Sequence, residues 1–389
     1  MKGIKRQSGI CSKNNQEVKA LFILPDLALG GAERMTLRLV RDLTRRGVGA
    51  SIFLLRHEGV LLSEVPNEVP ILSANEAQEE TYSRLRRLTL LLRRAREHDV
   101  VVGALELMPT YLAYLCGLLL GKPVVGWVHT SMGEHLRNYS PLQRILCGRV
   151  YARLQKVVIV SPTVADSLRS IARVRTERIK VIYSYLDLDS LEAMASEPVP
   201  SWAETLLDGP SIVTVARLSA EKGLEVLIKA HARLHMAGLP HKLLILGEGS
   251  LRADLERLAD HLNVRSSVFL PGYVANPFPI VKAASAFVLP SRYEGFPLVL
   301  LEALGVGAAT IATDCPGGSA EILDRGRYGL IVPPDDEHAL ANGMKNLLSD
   351  QALISRLRSA GPARARQFAA EDSLLAWESL FAELEGLRA

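Results

Sequence analysis

Short apolar runs alternate along the whole chain with longer stretches in which apolar positions recur every three or four residues. The short runs read as strands buried on both faces and the longer stretches as amphipathic helices. Alternation of the two predicts an α/β chain with parallel sheets covered by helices on both faces. Expected strands fall at 20–24, 50–55, 69–72, 100–102, 124–128, 157–160 and 179–182. A second set falls at 212–215, 242–246, 268–270, 286–289, 310–312 and 329–332. Between the sets, residues 188–210 carry Pro198, Pro200 and Pro210 among small and polar residues, the composition of a linker. A chain of 389 residues is too long for one typical core. The expected organisation is a disordered tail over 1–18, a first domain over 19–187, the linker, a second domain over 211–370 and a last helix over 371–389. Doubly wound domains bind ligands beyond the carboxyl ends of their strands, so the strand-to-helix loops hold the candidate chemistry.

The loop after the 286–289 run reads Ser291-Arg-Tyr-Glu294-Gly-Phe-Pro-Leu-Val-Leu-Leu-Glu302. Eight residues of helix rise about 12 Å, which separates the two carboxylates by two turns. Between them, the N–H groups of Gly295, Phe296, Leu298 and Val299 form a helix start that favours an anion such as phosphate. A hydroxyl acceptor, an anion site and a second hydroxyl acceptor in one line match a nucleotide-sugar. On this segment alone, an amphipathic helix with two surface acids explains the residues equally well. Arg217 and Lys222, five residues apart in the loop after 212–215, supply a guanidinium fork and a compact ammonium for a diphosphate. Gly30 and Gly31 after the first strand would let backbone approach such a diphosphate from the other domain. Neither they nor Gly247 and Gly249 form a dinucleotide fingerprint, since the third glycine is absent.

In order, the chain carries Gly30-Gly31-Ala-Glu33, then His129, then Arg217-Leu-Ser-Ala-Glu221-Lys222-Gly223, and then Gly247-Glu-Gly249. Pro271-Gly-Tyr-Val274, the Glu294 and Glu302 pair, and Thr313-Asp-Cys-Pro-Gly-Gly-Ser-Ala-Glu-Ile322 follow. This set resembles the signatures of retaining glycosyltransferases of family 4, from about Lys19 to the C-terminal helix. The resemblance implies the GT-B fold, two Rossmann-like doubly wound domains facing across a cleft, with a terminal helix that crosses back to the first. It implies sugar transfer from a nucleotide-sugar with retention. Arg217 and Lys222 would bind the diphosphate, Glu294 would meet donor-sugar hydroxyls, and Glu302 would hold the ribose. His129 would orient the transferred sugar, Gly30 and Gly31 would line the phosphates, and Gly247 would lie beside the nucleoside. Backbone near Tyr273 and Val274 would hold the base, with uracil expected and guanine and adenine left open. No carboxylate is assignable as nucleophile, which favours a front-face route assisted by the leaving phosphate. No metal or other cofactor is expected, because Asp187 and Asp189, the one Asp-x-Asp spacing considered, fall at the linker. Two departures stand out: Tyr183-Ser184 before the interdomain Asp187, where many members have asparagine, and Ala309 in place of proline.

Composition narrows the setting. Four cysteines, Cys11, Cys116, Cys147 and Cys315, lack paired spacing, which argues against a disulfide framework or a zinc–cysteine site and fits a reducing cytoplasm. Residues 1–190 hold 28 Lys and Arg against 18 Asp and Glu, leaving 18 against 24 of the chain's 46 and 42 for the rest. A basic first half points to an anionic surface or acceptor. Its densest part, Tyr82 to His98, has six arginines and one glutamate, with Leu85, Leu88, Leu92 and Ala95 spaced to face a core. With Arg137, Arg144, Arg149 and Arg153 it forms a candidate docking face for anionic lipid. Interleaved aromatics are lacking, which argues against nucleic acid. No secretory signal is visible, and the apolar run 111–120 is too short to span a bilayer. The reading is a cytoplasmic enzyme, peripheral on the inner face of the membrane, that moves a hexose or N-acetylhexosamine from a UDP-sugar to a lipid-linked or polysaccharide glycan. A nucleotide-sugar epimerase of the same architecture and a non-catalytic GT-B-like interaction protein are the alternatives.

Overall fold

The structure, a computed structural model, describes residues 18–28, 30–73 and 84–386. The expected 1–18 tail, apart from Val18, and Tyr82 and Ser83 of the basic segment lie outside these residues. In the first domain the strands are β1 (Lys19–Leu24), β2 (Gly49–Leu54), β3 (Ile71–Ser73), β4 (Val100–Gly103), β5 (Val124–Val128), β6 (Lys156–Ile159) and β7 (Ile179–Val181). They form one parallel sheet in the order β3-β2-β1-β4-β5-β6-β7. In the second domain β8 (Ser211–Val215), β9 (Lys242–Leu246), β10 (Val268–Gly272), β11 (Ala286–Leu289), β12 (Thr310–Thr313) and β13 (Leu330–Val332) form another. Its order is β10-β9-β8-β11-β12-β13, again all parallel.

Each expected run is a strand, shifted by a residue or two at its ends. The start of β3 moves from 69 to Ile71 because Pro70 has no N–H for the ladder and Val69 is turned back onto the Pro66 carbonyl. Helices on both faces bury strands completely, as in β5, where all of Val-Val-Gly-Trp-Val is buried. Both sheets reverse their strand order beside their first strand, between β1 and β4 and between β8 and β11. Such a reversal parts the flanking loops and opens a crevice at the carboxyl ends.

Residues 188–210 are not an extended linker but carry two helices, Leu188–Ala195 and Ser201–Leu207, separated at the Pro198 and Pro200 stretch. Asp187 caps the first by accepting the Ser190 N–H at 3.2 Å, and it pairs with Arg41 at 2.9 Å. Helix Ala370–Gly386 returns to the first domain: the Trp377 ring lies 5.0 Å from Trp127 of β5 and 5.9 Å from Phe22 of β1. Lys156–Glu383 at 2.6 Å and Arg46–Glu378 at 2.5 Å tie its polar edge.

In helix Arg84–Arg96 the core face is Leu91 and Ala95, with Leu88 and Leu92 partly covered, while Leu85 is 73% exposed. This corrects the expected stripe. At 3.6 residues per turn Leu85 stands roughly 80° around the helix from Ala95, off the buried face. Among the described residues, no helix is long and apolar enough to cross a membrane.

Candidate active site

The second domain supplies the half that carries Arg217, Lys222, Glu294 and Glu302. Arg217 follows β8, and the turn that carries Lys222 closes on Gly223, whose φ of 59° and a Cβ that would lie 2.3 Å from the Pro290 carbonyl oxygen both require glycine. That turn brings Lys222 Nζ to 2.7 Å from Glu294 Oε1 in the loop after β11, with side chains only 18% and 11% exposed. Ser291 Oγ donates to the same carboxylate oxygen at 2.6 Å. Two donors thus fix one oxygen of Glu294 and leave Oε2 to accept a ligand hydroxyl. Arg217 is 64% exposed and touches Glu221 at 3.4 Å, so its guanidinium is open to solvent.

The loop after β12 braces Glu294. The Glu294 N–H donates to Pro316 O at 2.9 Å, and Gly318 N–H donates to Gly295 O at 2.8 Å. Helix Leu298–Gly305 begins immediately after Pro297. Among the described residues, no backbone acceptor outside this helix pairs with the N–H groups of Leu298 and Val299 in its first turn.

The first domain supplies the facing half. Gly30 caps helix Gly31–Arg45, and the Glu33 side chain folds over it so closely that a Cβ there would sit 2.1 Å from Glu33 Oε2. Burial pushes the Glu33 carboxyl up, and Arg217, reaching across the cleft, pulls it partly back. Gly30 and Gly31 open the helix whose Glu33 feels the Arg217 charge. Glu302 is held up by burial and drawn down by Arg38 and Arg34, which approach from the same first-domain helix. Arg34 also donates to the Tyr273 hydroxyl at 3.0 Å.

His129 follows β5 and packs against Trp127 with ring centroids 4.2 Å apart. Its buried Nε2 has no protein partner, and burial lowers its pKa to about 3. The ring is therefore neutral at physiological pH. Its carbonyl meets the second domain: a Cβ on Gly295 would lie 1.7 Å from His129 O, and Ser161 Oγ donates to Gly295 O at 3.2 Å. Beneath His129, Glu106 accepts the His129 N–H. Burial raises the Glu106 carboxyl to about 7, which the His129 and Thr130 N–H groups oppose and Glu33 reinforces.

The structure thus gathers Gly30, Gly31, His129, Arg217, Lys222, Glu294, Gly295, Leu298, Val299 and Glu302 at the facing strand ends. Phe296 joins through its backbone only, its ring being buried against Tyr183 and Phe368 at 5.4 and 5.3 Å. Val274 adjoins Tyr273, half-buried. Gly247 lies beside Arg217, against Ala216. Its N–H is spent on Gly272 O at 2.8 Å, and a Cβ would lie 2.0 Å from Ala216 O, so its role is to let the β9 loop pack under Arg217. Sequence reasoning missed Glu33 as a side chain, Glu106, Arg34, Arg38 and the brace of Trp377 on Trp127. Glu106 stands three residues past β4, a strand at the reversal, and that position was the available signal.

Known proteins agree with this architecture. The family described as Glycosyltransferase Family 4 matches residues 29–190, and Glycosyl transferases group 1 matches residues 203–364. The 4-alpha-N-acetylgalactosaminyltransferase of Campylobacter jejuni that acts on an N-acetylgalactosamine-N,N'-diacetylbacillosaminyl-diphospho-undecaprenol is 26% identical, over 88% of this chain and 93% of its own. The lipopolysaccharide core biosynthesis glycosyltransferase LpsD of Rhizobium meliloti is 27% identical, over 85% and 89%. The crystal structure of Anabaena HepE in complex with UDP-glucose superposes with a TM-score of 0.81 at 18% identity, covering 94% of this chain and 100% of that one. The two family matches fall one on each domain around the shared cleft, and the chain belongs to the group 1, family 4 glycosyltransferases of GT-B fold.

Proposed function

We propose that this glycosyltransferase moves a hexose or N-acetylhexosamine from a UDP-sugar, with retention, to a lipid-linked or polysaccharide acceptor in cell-surface glycan synthesis. The observation that carries the reading is the convergence of Arg217, the Lys222–Glu294 pair and an open helix start on a cleft whose other wall is Gly30 and Gly31. The relatives act on a diphospho-undecaprenol-linked sugar and in lipopolysaccharide core synthesis, and the structural neighbour holds UDP-glucose.

In the reaction, the bond from the anomeric carbon to the β-phosphate oxygen breaks and charge grows on the diphosphate. Arg217 and Lys222 stabilise that charge, Lys222 from a position already fixed by Glu294, which spares the solvent reorganisation that water would need. The acceptor hydroxyl attacks from the face the diphosphate leaves, and its proton passes to the departing phosphate oxygen. Glu294 Oε2 accepts a donor-sugar hydroxyl and Glu302 the ribose hydroxyls. Neutral His129, its Nε2 unpartnered, meets a hydroxyl of the transferred sugar. These cations make a divalent metal unnecessary for transfer.

The acceptor would arrive on a membrane. Helix Pro141–Tyr151 exposes Leu142, Ile145 and Leu146 beside Arg144 and Arg149, with Arg137 and Arg153 exposed at its flanks. Right-handed crossovers put this helix on the same sheet face as helix Arg84–Arg96. Incubation with a panel of nucleotide-sugars and a polyprenyl-diphosphate glycan, with and without chelator, tests the whole reading. A UDP-sugar should be consumed only with acceptor, in chelator as well, and give a product of unchanged anomeric configuration by NMR. Inversion, donor conversion without acceptor, or strict dependence on added metal would overturn the corresponding part.

A further inference from the structure

Helix Leu224–Met236 carries His231 and His235 one turn apart, and the turn after it returns His241 to them just before β9. Ring centroids lie 4.4 Å apart for His231 with each of the other two, and 5.2 Å apart for His235 with His241. One ring nitrogen from each histidine falls within 4.8 Å of the other two. All of this lies at the amino ends of β9 and β10, on the edge of the second sheet opposite the cleft.

The surrounding hydrogen bonds fix the His241 tautomer and admit one for His231 that suits a metal ion. His241 Nδ1 lies 2.9 Å from the Leu239 carbonyl, which can only accept, so that nitrogen carries its proton and Nε2 presents a lone pair. With Ser267 Oγ donating to Val264 O at 3.0 Å, His231 Nε2, 2.8 Å from the same hydroxyl, is its donor and His231 Nδ1 presents a lone pair. These two lone pairs face each other across 2.9 Å. His235 Nε2 donates to His241 O at 2.8 Å; the His241 N–H lies 3.4 Å from the same atom, and the shorter contact decides its role. Two facing lone pairs repel unless a proton joins them or a metal ion, set off the line between them at about 2.0–2.1 Å from each, binds both.

We propose that His231, His235 and His241 form a binding site for a divalent transition metal of the imidazole-preferring class, Zn²⁺ foremost, with His231 Nδ1 and His241 Nε2 as two of its ligands. Imidazole nitrogens suit zinc, and ligating histidines characteristically donate their other N–H to a carbonyl or a polar side chain, as Leu239 O and Ser267 Oγ receive it here. His231 and His241 are buried, while His235 reaches partly to solvent and gives the ion an entry path. The ion would clamp the end of one helix to the starts of two strands, remote from the sugar-transfer chemistry. The competing arrangement turns the Ser267 hydroxyl onto His231 Nε2, lets His231 Nδ1–H donate to His241, and needs no ion.

The test uses tag-free full-length protein stripped of metal by chelator and then titrated with Co²⁺ and Zn²⁺. One equivalent of Co²⁺ should give visible ligand-field bands without thiolate charge transfer, and Zn²⁺ should displace it and raise the melting temperature by several degrees. His235→Gln should abolish both signals while circular dichroism and UDP binding stay as in the wild type. Ser267→Ala, which removes an outer partner, should weaken Co²⁺ binding about tenfold or more. Absence of stoichiometric Co²⁺ uptake, or uptake unchanged in His235→Gln, would overturn the proposal in favour of the ion-free network.

Discussion

Replacing Glu106 by glutamine keeps the shape and an oxygen to accept the His129 N–H but removes a carboxyl that the fold forces to ionise late. Its pKa is raised from 4.5 to about 7, with burial as the first cause. The unfolded chain ionises near 4.5, so between that value and about 7 the folded state holds the extra proton. In this window stability declines as pH rises, and above it the full cost remains. A shift of about 2.5 units at 1.36 kcal/mol each sets a ceiling of about 3 kcal/mol on what charging Glu106 costs above neutrality. Urea denaturation of Glu106→Gln and wild type from pH 5 to pH 8.5 reads the difference directly, because contributions from histidines common to both cancel. The variant's advantage should be small at pH 5, grow with pH and level off above about pH 8. A constant difference across the range, or a variant less stable than wild type at pH 8, would refute the reasoning.

Arg217→Ala and Lys222→Ala should each slow transfer by on the order of a hundredfold or more, the scale of one lost preorganised electrostatic donor. Steady-state rates near wild type in either folded variant would remove these residues from the diphosphate. Glu302→Ala should weaken UDP affinity measured by calorimetry, whereas Glu294→Ala should impair transfer and leave UDP affinity largely intact; equal losses in both would mean the pair is misassigned. Wild-type protein should bind anionic but not zwitterionic vesicles at low salt, and less so when Arg86, Arg87, Arg93 and Arg94 become glutamine. Indifference to anionic vesicles at low salt would turn the reading toward a soluble acceptor. Acidification from pH 6.5 should lower global stability, since burial depresses His129, His231 and His241 and the unfolded chain takes up protons first; a melting temperature that holds steady down to pH 4.5 would contradict this.

The strands, the two-domain division and the loops that carry Arg217, Lys222, Glu294 and His129 were all legible in the chain. Buried parallel strands need continuous apolar runs, and ligand loops need glycine and charge directly after them, so both leave local marks. Pro70 shows the same rule acting on a single boundary, since a missing N–H trims a strand wherever it falls. What only the tertiary structure decided is pairing. Lys222 and Glu294 are 72 residues apart and share one hydrogen bond, and Trp377, from the last helix, packs on the Trp127 that packs on His129. Gly247 carries the same local signal as Gly30, yet its N–H goes to Gly272 and the space above it to Ala216. Glu106 looks like any loop acid until β4 and β5 are set side by side and bury it under His129. Periodicity and turn chemistry are properties of neighbours along the chain, whereas burial, and with it the tuning of a carboxyl or an imidazole, depends on which distant segments exclude water from it.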